Sequence, residues 1–482
     1  MRAHLAALAA SSSLLFGCAV GPDFLAPTPP EGKAYTRTTE TPGATPGGEE
    51  PVQRVVENRA IPAGWWRLFK STELDNVVRE AVAGNPSVAV ATATLAQAQQ
   101  AVLQARGGFY PQADLTAVAE RQRGPAFALG LQPGRSLPVF NLYSLGPTVS
   151  FAPDVFGLTG RRVEQQAALA ELQGYQLAAA RLVVTGNTVV QALTIGSLRR
   201  QIGAIREIIA DDHRNLSLVQ DKFAVGRGAR ADVLTAQTQL ANDRALLPQV
   251  GQQLAAAEDA LAILVGKTPA QWSPPAFDLD DFALPPELPL SLPSDLVRQR
   301  PDILAAQADL HASSAAIGIA TAQMYPSFPL AASIDTAALS TTSLFDQSSV
   351  VWTLSAGLSA PIFHGGALRA QRQQAIEGFR ASLASYRQTV LQAFGQVADI
   401  LRALGHDAEL ADAERRALDS AEESLHLQRA GYAVGKTDLL RLIDAERSYQ
   451  QARLGYTRAQ AQRYLDSAAL MVAMGGGWRS EP

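Results

Sequence analysis

The sequence predicts a mixed α and β chain, mostly helical, built as two similar halves that each carry a pair of strands. Three observations lead there. Residues 86 to 118 align without a gap on 301 to 333, so Pro86 falls on Pro301, Val102 on Ile317 and Tyr110-Pro111 on Tyr325-Pro326. A strictly alternating segment, VVWTLSAGL, occupies 350 to 358. Long stretches without proline, from Pro153 to Pro248 and from Pro361 nearly to the end, carry apolar residues at helical spacing. Repeats at this scale set the architecture before any single element does.

Each half opens on a helix, with Pro86 or Pro301 at a first position, where the missing N–H costs nothing. Two strand candidates follow around a Gly/Pro/Ser-rich hairpin, near 112 to 121 and 142 to 152, then near 328 to 335 and 350 to 358. In the last of these, Val350, Trp352, Leu354, Ala356 and Leu358 share one face. Val351, Thr353, Ser355 and Gly357 share the other, the pattern of a strand between lipid and a wet lumen. Pro147 interrupts one first-half strand.

A very long helix comes next. Residues 366 to 431 allow about 66 residues of helix, roughly 100 Å. Phe379, Leu383, Tyr386, Val390, Phe394, Val397, Leu401 and Leu404 step by fours and threes, a coiled-coil seam. Each long helix ends in a related turn, FAVGRGARADVLTAQ at 223 to 237 and YAVGKTDLLRLIDAE at 432 to 446. Gly226 and Gly435 mark the tips of two helical hairpins, and Asp438 is placed to cap the second returning helix. Residues 267 to 295, rich in proline, read as an extended connector.

Composition narrows the function. A net charge of −4 gives no reason to expect nucleic acid. The six histidines are scattered, and no cluster has ligand or catalytic spacing, so neither an enzyme, a metal nor a cofactor is expected. The single cysteine, Cys18, closes an export signal with Arg2 in its basic end and an apolar run from Leu5 to Phe16. Leu15-Phe16-Gly17-Cys18 is similar to a bacterial lipobox, in which the cysteine carries diacylglycerol and N-acyl chains after cleavage. Each buried methylene of such chains contributes ~0.8 kcal/mol to anchoring. An ordinary cleaved signal with an incidental cysteine is the alternative.

Several stretches together carry a resemblance: CAVGPDFLAP (18 to 27), GWWRLFKSTELDNVV (64 to 78), RPDILAAQADL (300 to 310), PIFHGG (361 to 366) and GGGW (475 to 478). The chain resembles the outer membrane factor family, the NodT-type, TolC-like lipoprotein channels of tripartite efflux pumps. The resemblance implies a homotrimer with a 12-stranded outer-membrane β-barrel, four strands per protomer, continuous with a long periplasmic α-helical barrel. It implies a periplasmic adaptor and an inner-membrane transporter, of the resistance-nodulation (RND) type, as partners, with outer-membrane lipid around the barrel. Four strands cannot close a barrel, and lipid does not tolerate open edges, so sister subunits are required on physical grounds as well.

The resulting domain expectation is a signal peptide at 1–17 and a lipidated extended segment at 18–63. A first repeat covers 64–266, with its strand pair at about 110–155. The connector at 267–295 leads to a second repeat at 296–478, with strands at about 325–362, a long helix at about 366–431 and a returning helix at 438–474, before a tail at 479–482. The resemblance implies a periplasmic gate at the tips. Asp444 matches a ring-forming aspartate, and Arg441 stands where some members have a second one. Asp438 is the candidate for a second carboxylate, as in some relatives, Tyr432 matches a closure tyrosine, and Asp232 is the first-half candidate. The same three residues of the second tip also fit a plain solvated face, with Arg441 bridging Asp438 and Asp444. Two other functions share these features: the outer-membrane channel of a type I protein-secretion system, and a lipid-tethered periplasmic coiled-coil scaffold. The scaffold leaves the alternating strand and the duplication unexplained.

Overall fold

A computed structural model describes residues 19–28, 34–36, 53–59, 61–123 and 139–478. The expected signal peptide, Cys18 and the tail at 479–482 lie outside the described residues. In chain order the main elements are β1 (Arg54–Glu57), α1 (Thr72–Gly84), α2 (Pro86–Gly107), β2 (Gln112–Gln122), β3 (Phe140–Phe151), α3 (Leu158–Ala224) and α4 (Arg230–Val265). They continue with β4 (Glu287–Leu290), α5 (Pro293–Gln299), α6 (Pro301–Ala322), β5 (Leu330–Ala338), β6 (Val350–Ala356), α7 (Ala367–Ala433) and α8 (Leu439–Ala473). The two long helices, α3 and α7, are each 67 residues. Of the expected seam on α7, Tyr386, Val390, Val397 and Leu404 are buried, while Phe394 and Leu401 are partly buried against the same core.

The chain forms two compact units. The first comprises Met1–Ala26, Ala96–Leu172 and Gln307–Ser385; the second comprises Pro27–Leu95, Gln173–Ala306 and Tyr386–Pro482.

In the first unit β2, β3, β5 and β6 make one antiparallel sheet in that order, so the β3–β5 seam joins the two halves of the chain. Directly paired residues share a face. Trp352 lies opposite Ile334, Leu354 opposite Ala332, Ala332 opposite Val149, and Val149 opposite Ala113. Leu115, Pro147 and Leu330 fall on that face by alternation, which is apolar across all four strands except at Thr336 and, at the far end of the β2–β3 pair, Arg121 and Asn141. The other face carries Asp114, Thr116, Ser144, Thr148, Ser150, Ser333, Asp335, Thr353 and Ser355. The apolar side chains are not covered within the chain: Leu115, Trp352 and Leu354 are 74%, 73% and 76% exposed. β6 ends at Ala356, short of the expected Leu358; Ser327 and Ser359 form an isolated bridge beyond it.

Pro147 does not end β3. The strand stays paired to β2 through Leu115, but its ladder to β5 skips Gly146 and Pro147 and resumes at Thr148 in the same register. The missing proline N–H accounts for one lost bond, and a glycine beside it removes the side chain that would meet Asp335.

The residues that follow Cys18 are also fixed in this unit. Val20 donates its N–H to Phe156 O at 3.2 Å. The buried Arg161 guanidinium donates to Val20 O, to Gly21 O and, at 2.9 Å, to Asp23 Oδ1. Phe24 stacks on His311 with ring centroids 4.4 Å apart.

In the second unit the core gathers around Trp65, Phe69, Leu193, Ile195, Leu261 and Ile303, all at most 1% exposed. Within the connector β4 pairs in parallel with β1, Val55 opposite Leu288, and α5 begins before the connector was expected to end. Helix α4 runs through Pro248. A proline inside a helix costs about 3 kcal/mol, so packing along α4 offsets that cost.

Candidate functional site: the hairpin tips

The tips of both hairpins belong to the second unit. At the first, Gly226 takes a left-handed φ of 74°, and Arg227 N–H donates back to Lys222 O at 2.8 Å. At the second, Gly435 has φ 77°, and Lys436 N–H donates to Gly431 O at 2.8 Å. These are the same helix-ending motif, and glycine is what adopts it without strain. The likeness of the two turns in sequence is therefore a likeness of backbone.

Each returning helix is capped by its own carboxylate. Asp438 Oδ1 accepts from Arg441 N–H at 2.9 Å, and Asp232 Oδ2 accepts from Ala229 N–H at 3.1 Å. Arg441 approaches Asp438 at 3.9 Å between two exposed side chains, worth under ~1 kcal/mol. It pairs with Asp438 and not with Asp444, so the two-carboxylate bridge does not form. Asp444 is exposed, and its carboxylate has no ion pair among the described residues.

Tyr432 is not exposed with them. It is 7% exposed in a small tip core with Val219, Val233, Leu425, Leu439, Leu442 and Ile443. Lys222 reaches across from α3, its Nζ 3.4 Å from the centre of the Tyr432 ring and donating to Tyr432 O at 2.5 Å. Burial, reinforced by the Asp232 carboxylate, raises the Tyr432 phenol above its ordinary range. The structure thus brings Tyr432 and Asp232 together at one clasp and leaves Asp438, Arg441 and Asp444 on the open face.

The sequence reading missed four participants. Lys222 clasps Tyr432 from 210 residues away. Arg429 donates to Asp211 at 2.7 Å and lies 3.7 Å from Glu446, tying α7 to α3 and α8. The pair Asp211-Asp212, set in a long aliphatic helix, was the one local signal of that second contact.

Three of the stretches behind the resemblance meet elsewhere in the second unit. Arg300 Nη1 donates to Ala473 O at 2.9 Å, and Trp478 Nε1 donates to Gln299 O at 2.7 Å. Side chains on Gly476 and Gly477 would meet Leu182 and the Ile61-Pro62 backbone, with Trp65 Nε1 at 3.3 Å from the first. GWWRLF, RPDI and GGGW are therefore parts of one packing node.

The sequence profile described as "Outer membrane efflux protein" matches residues 77–267 and again 292–476. The chain is 29% identical over 423 residues to the pyoverdine export outer membrane protein OpmQ of Pseudomonas aeruginosa, covering 86% of this chain and 88% of that one. It is 28% identical to the toluene efflux pump outer membrane protein TtgF of Pseudomonas putida, covering 99% and 98%. Among solved structures, the outer-membrane channel OprN superposes with a TM-score of 0.85 at 25% identity, over 96% of this chain and 100% of that one.

Proposed function

The chain belongs to the outer membrane efflux protein family, and from that premise we propose that three copies close a 12-stranded barrel and a gated periplasmic tunnel. As a member it is an outer-membrane channel that serves as the exit duct of an efflux system. The observation that carries the trimer is the sheet: one continuous apolar face, one polar face, and unpaired edges at β2 and β6. Lipid requires every backbone group at those edges to be satisfied, and sister sheets satisfy them. The duct is passive. A periplasmic adaptor and an inner-membrane transporter of the RND type supply coupling and energy.

In this reading Asp444 contributes a ring of three carboxylates at the periplasmic mouth. A narrow, low-dielectric opening focuses their field, which concentrates cations and slows other traffic. Tyr432 and Lys222 hold the closed tip, with Asp232 beside them, and Asp438 and Arg441 shape the rim. In planar bilayers the purified protein should give a small, cation-blocked conductance, and Asp444→Ala should relieve the block by about tenfold in blocking concentration, a change of ~1.4 kcal/mol. Undiminished block in that variant would remove Asp444 from the gate; a water-soluble monomer with no conductance would remove the channel.

Cys18 is the acylation site in the same proposal. The hydrogen bonds and ring stacking of Val20, Asp23 and Phe24 support it, because they fix the chain just beyond the cysteine and so fix where the lipid enters. Cells grown with labelled palmitate should label the parent and not Cys18→Ser; label retained in the variant rules the site out.

A further inference from the structure

Farther up the hairpins, the second unit buries carboxylates against one another. Asp212 precedes the end of α3 by about three turns, roughly 18 Å. Asp212 on α3, Asp243 on α4 and Glu446 on α8 are 3%, 6% and 4% exposed, with Asp211 beside them on α3. Donors are few and already directed. Asp243 Oδ2 accepts from Gln239 Nε2 at 2.8 Å and from Gln450 Nε2 of α8 at 2.9 Å. Arg429 of α7 serves Asp211 and stands 3.7 Å from Glu446. The other nearby cations are engaged elsewhere: Arg214 with Asp211, Arg244 with His213, Arg453 with Glu207 and Tyr449. Among the described residues Asp212 Oδ2 has no donor, and its side chain lies within hydrogen-bonding range of Asp243. Two carboxylates in contact, out of water and without a donor between them, form a hydrogen bond only if one of them carries a proton.

We propose that Asp212 and Asp243 share one proton, and that this proton-binding site latches α3 to α4 and, through Gln450, to α8. With the proton bound, Asp212 donates to Asp243 and the helices stay packed. With it lost, two adjacent charges face Asp211 and Glu446 across the same contact with only Arg429 to offset them, and the helices separate to admit water. The device regulates packing above the gate and does not depend on Asp444 forming a ring.

Burial, the Asp243 contact and the neighbouring carboxylates push the Asp212 carboxyl up to about 8. A solvated aspartate in the separated state titrates near ~4. The packed state therefore binds the proton more tightly. Its advantage is complete in acid, falls as pH rises from about 4, and is exhausted near 8. The latch is closed on the acid side and released on the alkaline side.

Hydrogen exchange on the assembled full-length protein tests this at pH values of about 5.5 and 8.5, corrected for the intrinsic rates. Amides of residues 207–216 and 239–250 should lose at least about tenfold in protection at the higher pH, the equivalent of one pH unit of coupling. Asp212→Asn and Asp243→Asn each remove the shared proton, so most of the dependence should disappear, leaving the part due to Glu446, whose carboxyl burial raises to about 7. Asp444→Asn should keep the full dependence. An unchanged parent, or a dependence that is undiminished in both asparagine variants, overturns the proposal. Should either variant fail to assemble, the parent's infrared spectrum decides: a protonated-carboxyl band at neutral pH that fades near 8 is required, and its absence refutes the site.

Discussion

Arg300→Ala should lower the resistance of the assembled channel to denaturant by about 3 kcal/mol. The arginine is 8% exposed and reaches three acceptors: Ala473 O at 2.9 Å, Gln396 Oε1 at 3.0 Å, and the Asp302 carboxylate at 3.0 and 2.6 Å. Asp302 is 41% exposed and returns to water, so the ion pair itself contributes modestly. Gln396 is exposed and likewise turns to water, so the cost comes from the buried Ala473 O, which the truncated residue leaves without a donor, and from the lost packing of the arginine stem. Arg300→Lys should recover little, because one ammonium on a flexible stem cannot occupy three directions at once. Denaturant unfolding followed by tryptophan fluorescence measures it, since Trp478 is bound to the adjacent Gln299. A midpoint for Arg300→Ala equal to the parent's would mean that the node does not depend on this side chain.

That node also shows which parts of the molecule a linear reading can reach. RPDI and GGGW were recognisable as strings, but nothing local says that Arg300 binds the carbonyl of Ala473, 173 residues on. The long helices were legible because a proline-free heptad pattern has few other uses, and the tips because a left-handed turn calls for glycine. β6 declared itself by strict alternation. β2 and β3 did so less clearly, since small residues and Pro147 blur the period while the pairing partner supplies the order. The β1–β4 pair was missed altogether: two four-residue strands more than two hundred positions apart carry no periodic signal. At the tip, the Asp438 cap is a spacing and could be read, whereas the Lys222–Tyr432 clasp is a tertiary contact. Asp212, Asp243 and Glu446 went unread for a plainer reason. An acidic residue in a helix is by default assigned to the solvent, and only packing shows otherwise.

The same seam that joins the two halves gives the largest expected effect on assembly. Gly146→Val should prevent the closed barrel from forming, leaving little heat-modifiable oligomer on electrophoresis and little protein in the outer-membrane fraction. Gly146 is buried in the middle of β3, on the polar face, where the ladder to β5 is already interrupted by Pro147. A Cβ there would fall 2.5 Å from Asp335 Cα and would also collide with Ile334 O and the Asp335 carboxylate. The first and second of these are backbone, which cannot swing aside as a side chain can. β3 would have to move away from β5, and the residual pairs on either side, Leu145 with Thr336 and Thr148 with Ser333, would be lost together. In water such overpacking costs about 1–3 kcal/mol. In lipid each freed N–H and C=O adds several kcal/mol, because no solvent takes the partner's place. Gly357→Val is the matched control: its Cβ would meet Pro329 alone, the ring at 3.4 Å and the carbonyl oxygen at 3.7 Å, ordinary contacts at the end of the sheet, and assembly should survive. Equal oligomer yields from the two variants would show that the β3–β5 contact is not what closes the barrel.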